Sequence, residues 1–204
     1  LGSGRTATAI AAGNHHTCAV LDNALVKCWG KNESGQLGLG NTNNRGDNSS
    51  EMGNYLPAVD LGSGRTATSI TTGTGYTCAL LDDDSVKCWG RGNFGQLGLG
   101  DTANRGDGSG EMGDNLPAVD LGSGRTARAI SVGDGHTCVV FDNAVVKCWG
   151  LNDSGQLGLG DTDNRGDGSN EMGDNLPVIA ITGDATAPTL SQVTAVSTNN
   201  DTTP

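Results

Sequence analysis

Three observations predict an all-β chain built from three tandem copies of one disulfide-stapled unit. The sequence superimposes on itself at a shift of 60 residues, and its six cysteines fall in pairs ten positions apart, one pair per copy. Its apolar residues come in short β-rich runs between Gly, Asn and Asp clusters, with no window of helical periodicity. Almost no helix is expected.

Within the second copy, taken in chain order, Leu61-Gly-Ser-Gly-Arg-Thr-Ala opens the unit and a short strand follows at Ser69 to Thr72. Tyr76-Thr-Cys-Ala-Leu-Leu and Val86-Lys-Cys-Trp-Gly90 form a hairpin turning at Asp82-Asp-Asp. Gly95-Gln-Leu-Gly-Leu-Gly100 comes next, then a long polar loop and a closing Leu116-Pro-Ala-Val-Asp120. The copies run over about 1–60, 61–120 and 121–182. The third decays at its end, where Ala180 replaces the Asp60 and Asp120 of the others. Residues 183–204, rich in Thr, Asn and Pro, read as a linker, and Thr186-Ala-Pro-Thr-Leu-Ser resembles the opening of an immunoglobulin-like module. Because Leu1-Gly-Ser-Gly matches Leu61 and Leu121 inside the pattern, the chain reads as part of a longer protein.

Composition narrows the function classes. With 34 glycines and only three Trp, two Tyr and two Phe among 204 residues, large side chains are scarce, so something else must share the stabilisation. No run of 18 apolar residues occurs, so a helical membrane span is not expected. A formal charge of −11 repels a phosphate backbone, which argues against nucleic acid as a partner.

The cysteines supply the missing stabilisation. In a hairpin centred on Asn23, Cys18 stands opposite Cys28 and Val20 opposite Val26, with all four side chains on one face. Opposed residues lie about 4.5–5.5 Å apart at Cα, within reach of a disulfide. Cys78 with Cys88 and Cys138 with Cys148 repeat the arrangement. Zinc would need four ligands where each hairpin offers two. Free thiols are the other reading, in a reducing compartment; bridges imply an oxidising one.

The segments Gly13-Asn-His-His-Thr-Cys-Ala-Val-Leu and Val26-Lys-Cys-Trp-Gly-Lys-Asn-Glu-Ser-Gly-Gln-Leu-Gly-Leu-Gly40, recurring in all copies, resemble the regulator of chromosome condensation repeat family. The resemblance implies a propeller of four-stranded antiparallel blades, seven in the usual member, of which three copies make a part. The cysteine pairs resemble the secreted bacterial branch, and further blades of the same chain are expected to cover the end faces. The resemblance also brings in guanine-nucleotide exchange on a small GTPase, by analogy of fold alone.

Candidate site residues are each weighed on their chemistry. His16, Tyr76 and His136 share one column, and a catalytic base would not accept Tyr as an equivalent, so a structural ring is expected; His15, whose column holds Gly75 and Gly135 in the other copies, is read as incidental. No nucleophile recurs beside a base, so no catalytic residue is assigned and the chain is not expected to be an enzyme. Arg45-Gly-Asp47, Arg105-Gly-Asp107 and Arg165-Gly-Asp167 spell the integrin tripeptide in candidate binding loops, though turn chemistry accounts for it too. Asp161, Asp163, Asp167 and Glu171 carry enough oxygens for a loose calcium site, with Arg165 where a third ligand belongs and Met172 in place of the closing Glu. No other cofactor is implied. Trp29, Trp89 and Trp149 are expected to pack between adjacent blades, with sugar stacking as the alternative. The resulting expectation is a non-enzymatic, adhesin-like scaffold, extracellular or on a bacterial cell surface, that presents three long loops to a protein or carbohydrate ligand. A structural spacer is the alternative.

Overall fold

The computed structural model describes residues 1–180. The linker and the immunoglobulin-like opening expected after residue 182 lie outside the described residues. Among the described residues nine strands form three separate antiparallel sheets, each a meander of three consecutive strands. The first holds β1 (Ala7–Ala12), β2 (His16–Leu21) and β3 (Val26–Gly30). The second holds β4 (Ala67–Thr72), β5 (Tyr76–Leu81) and β6 (Val86–Gly90). The third holds β7 (Ala127–Val132), β8 (His136–Phe141) and β9 (Val146–Gly150). The only helical pieces among the described residues are three single 3₁₀ turns, at Gly53–Tyr55, Gly113–Asn115 and Gly173–Asn175. The chain is thus all-β, with tandem blades forming part of a propeller.

The hairpin register is the expected one: Cys18 pairs with Cys28 and Val20 with Val26, and both later copies repeat it. Three disulfides close across it with Cα atoms 4.1 Å apart, and no free cysteine remains. The first strand begins two residues earlier than the Ser69 start expected for the second copy, because a bulge between Ala67 and Ser69 lets the pairing continue past an extra residue.

The fourth strand expected of each blade is not continuous. Beyond β3 the sheet edge is met at two points by the two ends of the long loop. Gly30 and Arg45 exchange backbone hydrogen bonds of 2.7 and 3.1 Å, and the Val59 amide donates to the Val26 carbonyl at 2.8 Å. Between those points the Asn-, Ser- and Gly-rich chain folds away through the 3₁₀ turn, whose start at Gly53 has a φ of 70°. A stretch so poor in β-branched residues cannot hold an extended ladder. The sheet edge is nonetheless covered, which limits edge-to-edge pairing.

The two buried clusters lie between successive blades. The first joins Cys18, Val20, Val26 and Cys28 of one blade to Ala79, Leu81 and Trp89 of the next; the second joins Cys78, Leu80, Val86 and Cys88 to Val139, Phe141 and Trp149. Strand alternation explains this: the disulfide face of each blade meets the tryptophan face of its successor, so both faces of the middle blade are buried.

Candidate functional site

In the first and third copies the loop that follows the hairpin is organised by one buried asparagine. Asn32 donates through Nδ2 to the carbonyls of Asn41 at 2.6 Å and Asn43 at 3.0 Å, and its Oδ1 accepts the Leu37 amide at 2.9 Å. Asn152 repeats these bonds to Asp161, Asp163 and Leu157. In the second copy Gly92 occupies the column, and the Ala103 carbonyl sits so close that a Cβ there would collide with it. The loop has moved into the space of the missing side chain. The asparagine was visible in the Trp-Gly-x-Asn pattern of the first and third copies, but its role was not, because a buried side-chain amide and an exposed one look alike in sequence.

A second unanticipated column is lysine. Lys27, Lys87 and Lys147 are all buried, and each Nζ donates to the carbonyl that opens its own 3₁₀ turn, at 2.7 Å from Gly53, 2.8 Å from Gly113 and 2.8 Å from Gly173. Burial lowers the Lys87 and Lys147 ammonium groups below the usual lysine value, opposed by Asp114 and Asp60 for the former and Asp174 and Asp120 for the latter. Asp60 and Asp120 thus serve the lysine of the following repeat, and Ala180 falls where no following lysine is present among the described residues.

The aromatic columns bridge blades. Trp89 and Trp149 are fully buried, and their Nε1–H groups donate to the Gln36 and Gln96 carbonyls of the preceding blade at 3.1 and 3.0 Å. They pack between blades as expected. Trp29, with no preceding blade among the described residues, is only half-buried. The His16 Nε2 atom lies 2.9 Å from Thr77 Oγ1, and Thr77 spends its hydroxyl proton on the Gln36 carbonyl at 2.9 Å, so the imidazole is the donor and carries its proton on Nε2. Tyr76 likewise reaches forward, its hydroxyl donating to the His136 carbonyl at 2.6 Å. His and Tyr interchange in this column because each offers a ring with a donor at its tip. Burial, with some help from His15, lowers the His16 pKa to about 4, and burial raises that of Tyr76.

The Arg-Gly-Asp triplets are built into the blade junctions. The Arg105 backbone pairs with Gly90, while its guanidinium takes Asp101 at 2.6 Å, as Arg165 takes Asp161 at 2.7 Å. Gly106 is buried against the Gly35 carbonyl and Met112 of neighbouring segments. Arg105 and Asp107 therefore do not pair with each other. In the first copy Gly46 and Asp47 are exposed, and Arg45, with Asn41 in place of an acid, keeps the bond to the preceding Asn carbonyl that Arg105 and Arg165 also make, without their ion pair.

The calcium candidates do not converge. Asp161 is held by Arg165, Glu171 accepts the Gly166 and Gly168 amides at 2.9 and 2.8 Å, and Asn164 reaches toward Asp167. Among the described residues no group of three or more His, Cys, Asp or Glu side chains is placed to hold a metal ion.

The loops instead frame clefts. One of about 320 Å³ is lined by Leu39, Asn41, Arg45, Pro57 and Asp60 with Ser109 and Met112 of the next blade. Its equivalent 60 residues on, about 470 Å³, is lined by Leu99, Asp101, Arg105, Pro117 and Asp120 with Ser169 and Met172. Each combines Leu, Pro and Met side chains with an Arg and an Asp in its lining.

Family models of the regulator of chromosome condensation (RCC1) repeat match residues 26–80 and 83–140 and, for a second model of the same description, 7–36, 67–96 and 127–156. The chain belongs to the RCC1 repeat family. It is 36% identical over 155 residues to the ultraviolet-B receptor UVR8 of Arabidopsis thaliana, an alignment covering 76% of this chain and 32% of the receptor. The solved complex of Kap60 with yeast RCC1 (Prp20) contains a chain superimposing with a TM-score of 0.59 at 20% identity, covering 79% of this chain and 36% of that one. Prp20p of Saccharomyces cerevisiae, for which binding to Gsp1p and histones is described, superimposes with a TM-score of 0.57 at 19% identity, over 78% and 36% of the two chains. This chain thus spans about a third of each of those relatives, and likeness at such identities shows the fold alone. In RCC1 terms the Trp-Gly and Gly-Gln-Leu-Gly motifs are the two sides of one junction, since the Trp89 and Trp149 indoles each bind the Gln carbonyl of the blade before.

Proposed function

We propose that this RCC1-repeat chain is a non-enzymatic, adhesin-like scaffold, extracellular or on a bacterial cell surface, that binds a protein or carbohydrate partner through the clefts between its blades. The observation that carries the reading is the recurrence of one cleft at equivalent positions, with Leu, Pro, Arg, Asp and Met repeated in its lining and Asn41 exchanged for Asp101. Repeated sites let individually weak contacts add through multivalence. The three disulfides suit an oxidising compartment, and the charge of −11 attracts a basic partner in preference to an acidic one. No helix of the described residues is long and apolar enough to cross a membrane.

The test is alanine replacement of Leu39, Arg45 and Pro57, and of Leu99, Arg105 and Pro117, with binding read on a glycan array and on immobilised basic proteins. Loss from one cleft should weaken binding and loss from both should abolish it, with the circular dichroism spectrum unchanged. A structural spacer would be indifferent to all six. Binding that survives a chelator separates this reading from one that needs calcium at Asp161, Asp163, Asp167 and Glu171.

A second reading, regulation of a small GTPase, is favoured by the superposition on Prp20p, for which Gsp1p binding is described. The disulfides weigh against its cytosolic setting. Accelerated nucleotide release from a small GTPase would promote it to first place.

A further inference from the structure

Three equivalent positions diverge between the two blade junctions. In the second junction Phe94 and Leu151 close over Gly135, which is buried: a Cβ built there would meet the Phe94 ring at 3.2 Å and the Leu151 side chain at 3.3 Å. Sixty residues earlier the same positions hold Ser34, Arg91 and Gly75. Gly75 is only half-buried, and a Cβ there would meet nothing nearer than the Arg91 stem at 3.8 Å.

The first junction is therefore open where the second is filled. A cleft of about 210 Å³ lies there, with His15, Lys31, Glu33 and Ser34 of the first copy facing Thr74 and Arg91 of the second across it. Both of its walls belong to described blades, and it shares no lining residue with the clefts at Leu39 and Leu99.

The charge of this cleft runs against that of the chain. The whole sequence carries −11, whereas Lys31, Glu33 and Arg91 leave the cleft with a net positive charge, its histidines counted neutral. Lys31 is spent on Glu33 at 2.8 Å. Arg91 is not spent: among the described residues no carboxylate lies within ion-pair distance of it. Its Nε donates to Asn93 Oδ1 at 2.6 Å and its guanidinium lies over the Phe94 ring, 5.1 Å from the centroid. Those two contacts fix the plane of the fork and leave its terminal nitrogens for another acceptor.

We propose that the cleft between the first and second blades is a carboxylate-binding site, in which Arg91 takes the carboxylate and Lys31 and Ser34 stand beside it. A planar carboxylate matches the edge of a guanidinium fork with two parallel hydrogen bonds. It also brings a single negative charge, which the net charge of the cleft balances; the second charge of a sulfate or phosphate would be left in the field of a strongly acidic chain. An acidic sugar and an acidic side chain both offer this group. The second junction, with Phe94 and Leu151 in the equivalent places, has no such site.

Amide chemical-shift titration of the 204-residue chain at constant ionic strength tests this, with glucuronate and the α-amide of N-acetylglutamate as probes. Glucose and the matching glutamine derivative are the uncharged counterparts, and sulfate is the dianion. The expected result is a saturable shift of the Ser34, Gly75 and Arg91 amides with at least one carboxylate, weaker by about tenfold or more with its uncharged counterpart. Whichever carboxylate binds tighter tells a sugar source from a peptide one. Ser34→Phe with Arg91→Leu copies what the second junction already accommodates, so the blades keep their circular dichroism spectrum while the saturable shift is lost. Arg91→Gln, which keeps the length of the side chain without its charge, should weaken binding by about tenfold. No saturable shift with either carboxylate, equal binding of the uncharged counterparts, or variants that bind as well as the wild type would each overturn the proposal. Sulfate binding as tightly as the carboxylates would overturn it too, leaving an adventitious ion only.

Discussion

The carbonyl of Gln36 accepts two hydrogen bonds from the next blade, one from the Trp89 indole at 3.1 Å and one from the Thr77 hydroxyl at 2.9 Å. Trp89 and Thr77 are themselves cross-strand partners, so one backbone atom locks the end of a hairpin to its neighbour. Trp89→Phe removes the indole bond and part of a fully buried ring while leaving Thr77 in place, costing about 2 kcal/mol. Trp89→Ala also opens a cavity in a fully buried site and should cost about 3–5 kcal/mol. The same changes at half-buried Trp29 should cost much less in dilute protein, and urea unfolding of the four variants measures the difference.

Asn152→Ala strips two carbonyls and the buried Leu157 amide of their partner at once. The expected loss is about 2–4 kcal/mol, with the Asp161–Asp167 loop becoming more open to proteolysis. Asn32→Ala should behave alike. Limited digestion and thermal unfolding together separate a local opening from a global one.

His16 makes stability depend on pH in a definite direction. The unfolded imidazole titrates near 6.5 and the folded one not until about 4, so below pH 6.5 protons favour the unfolded chain. Stability from this group is full above pH 6.5, declines as the pH falls, and is wholly lost below about 4, a change of about 3 kcal/mol. His16→Tyr copies the residue already present at Tyr76 and should keep the fold while flattening the profile between these limits. Denaturant midpoints of the two proteins across that range give the comparison.

Reduction of the bridges should cost about 2–3 kcal/mol each on the chain-entropy account. The order is set by access: Cys18, Cys28, Cys78 and Cys88 are fully buried between blades, whereas Cys138 is half-exposed on the end face. In dilute protein under mild reductant, Cys138 and Cys148 should be alkylated first, which peptide mapping by mass spectrometry detects. Simultaneous opening of all three would mean that the blades unfold as one unit before any bridge is reached.

Much of the blade was legible in the residues because its determinants are local. Cys18 opposite Cys28, Val20 opposite Val26 and the tight turn between them follow from the two-residue period of a strand, and the structure holds that register in all three copies. The inter-blade place of Trp89 and Trp149 was also within reach, since large rings repeated once per unit need a neighbouring unit to cover them. The interrupted fourth strand was less accessible: its two contacts, at Arg45 and Val59, are single bonds separated by a turn and leave no alternating pattern.

The fold class, the repeat length, the hairpin register and the disulfide pairing were consequences of sequence alone, because each depends on residues within about one strand length of one another. Partner choice across blades was not. Whether Arg105 meets Asp107 or Asp101, whether Glu171 faces a cation or the Gly166 and Gly168 amides, and whether Lys87 reaches solvent or the Gly113 carbonyl depended on how the long loops lie against the next blade. Those loops bring together residues from different repeats, and competition among several polar partners of similar strength is resolved only by the distances that packing imposes.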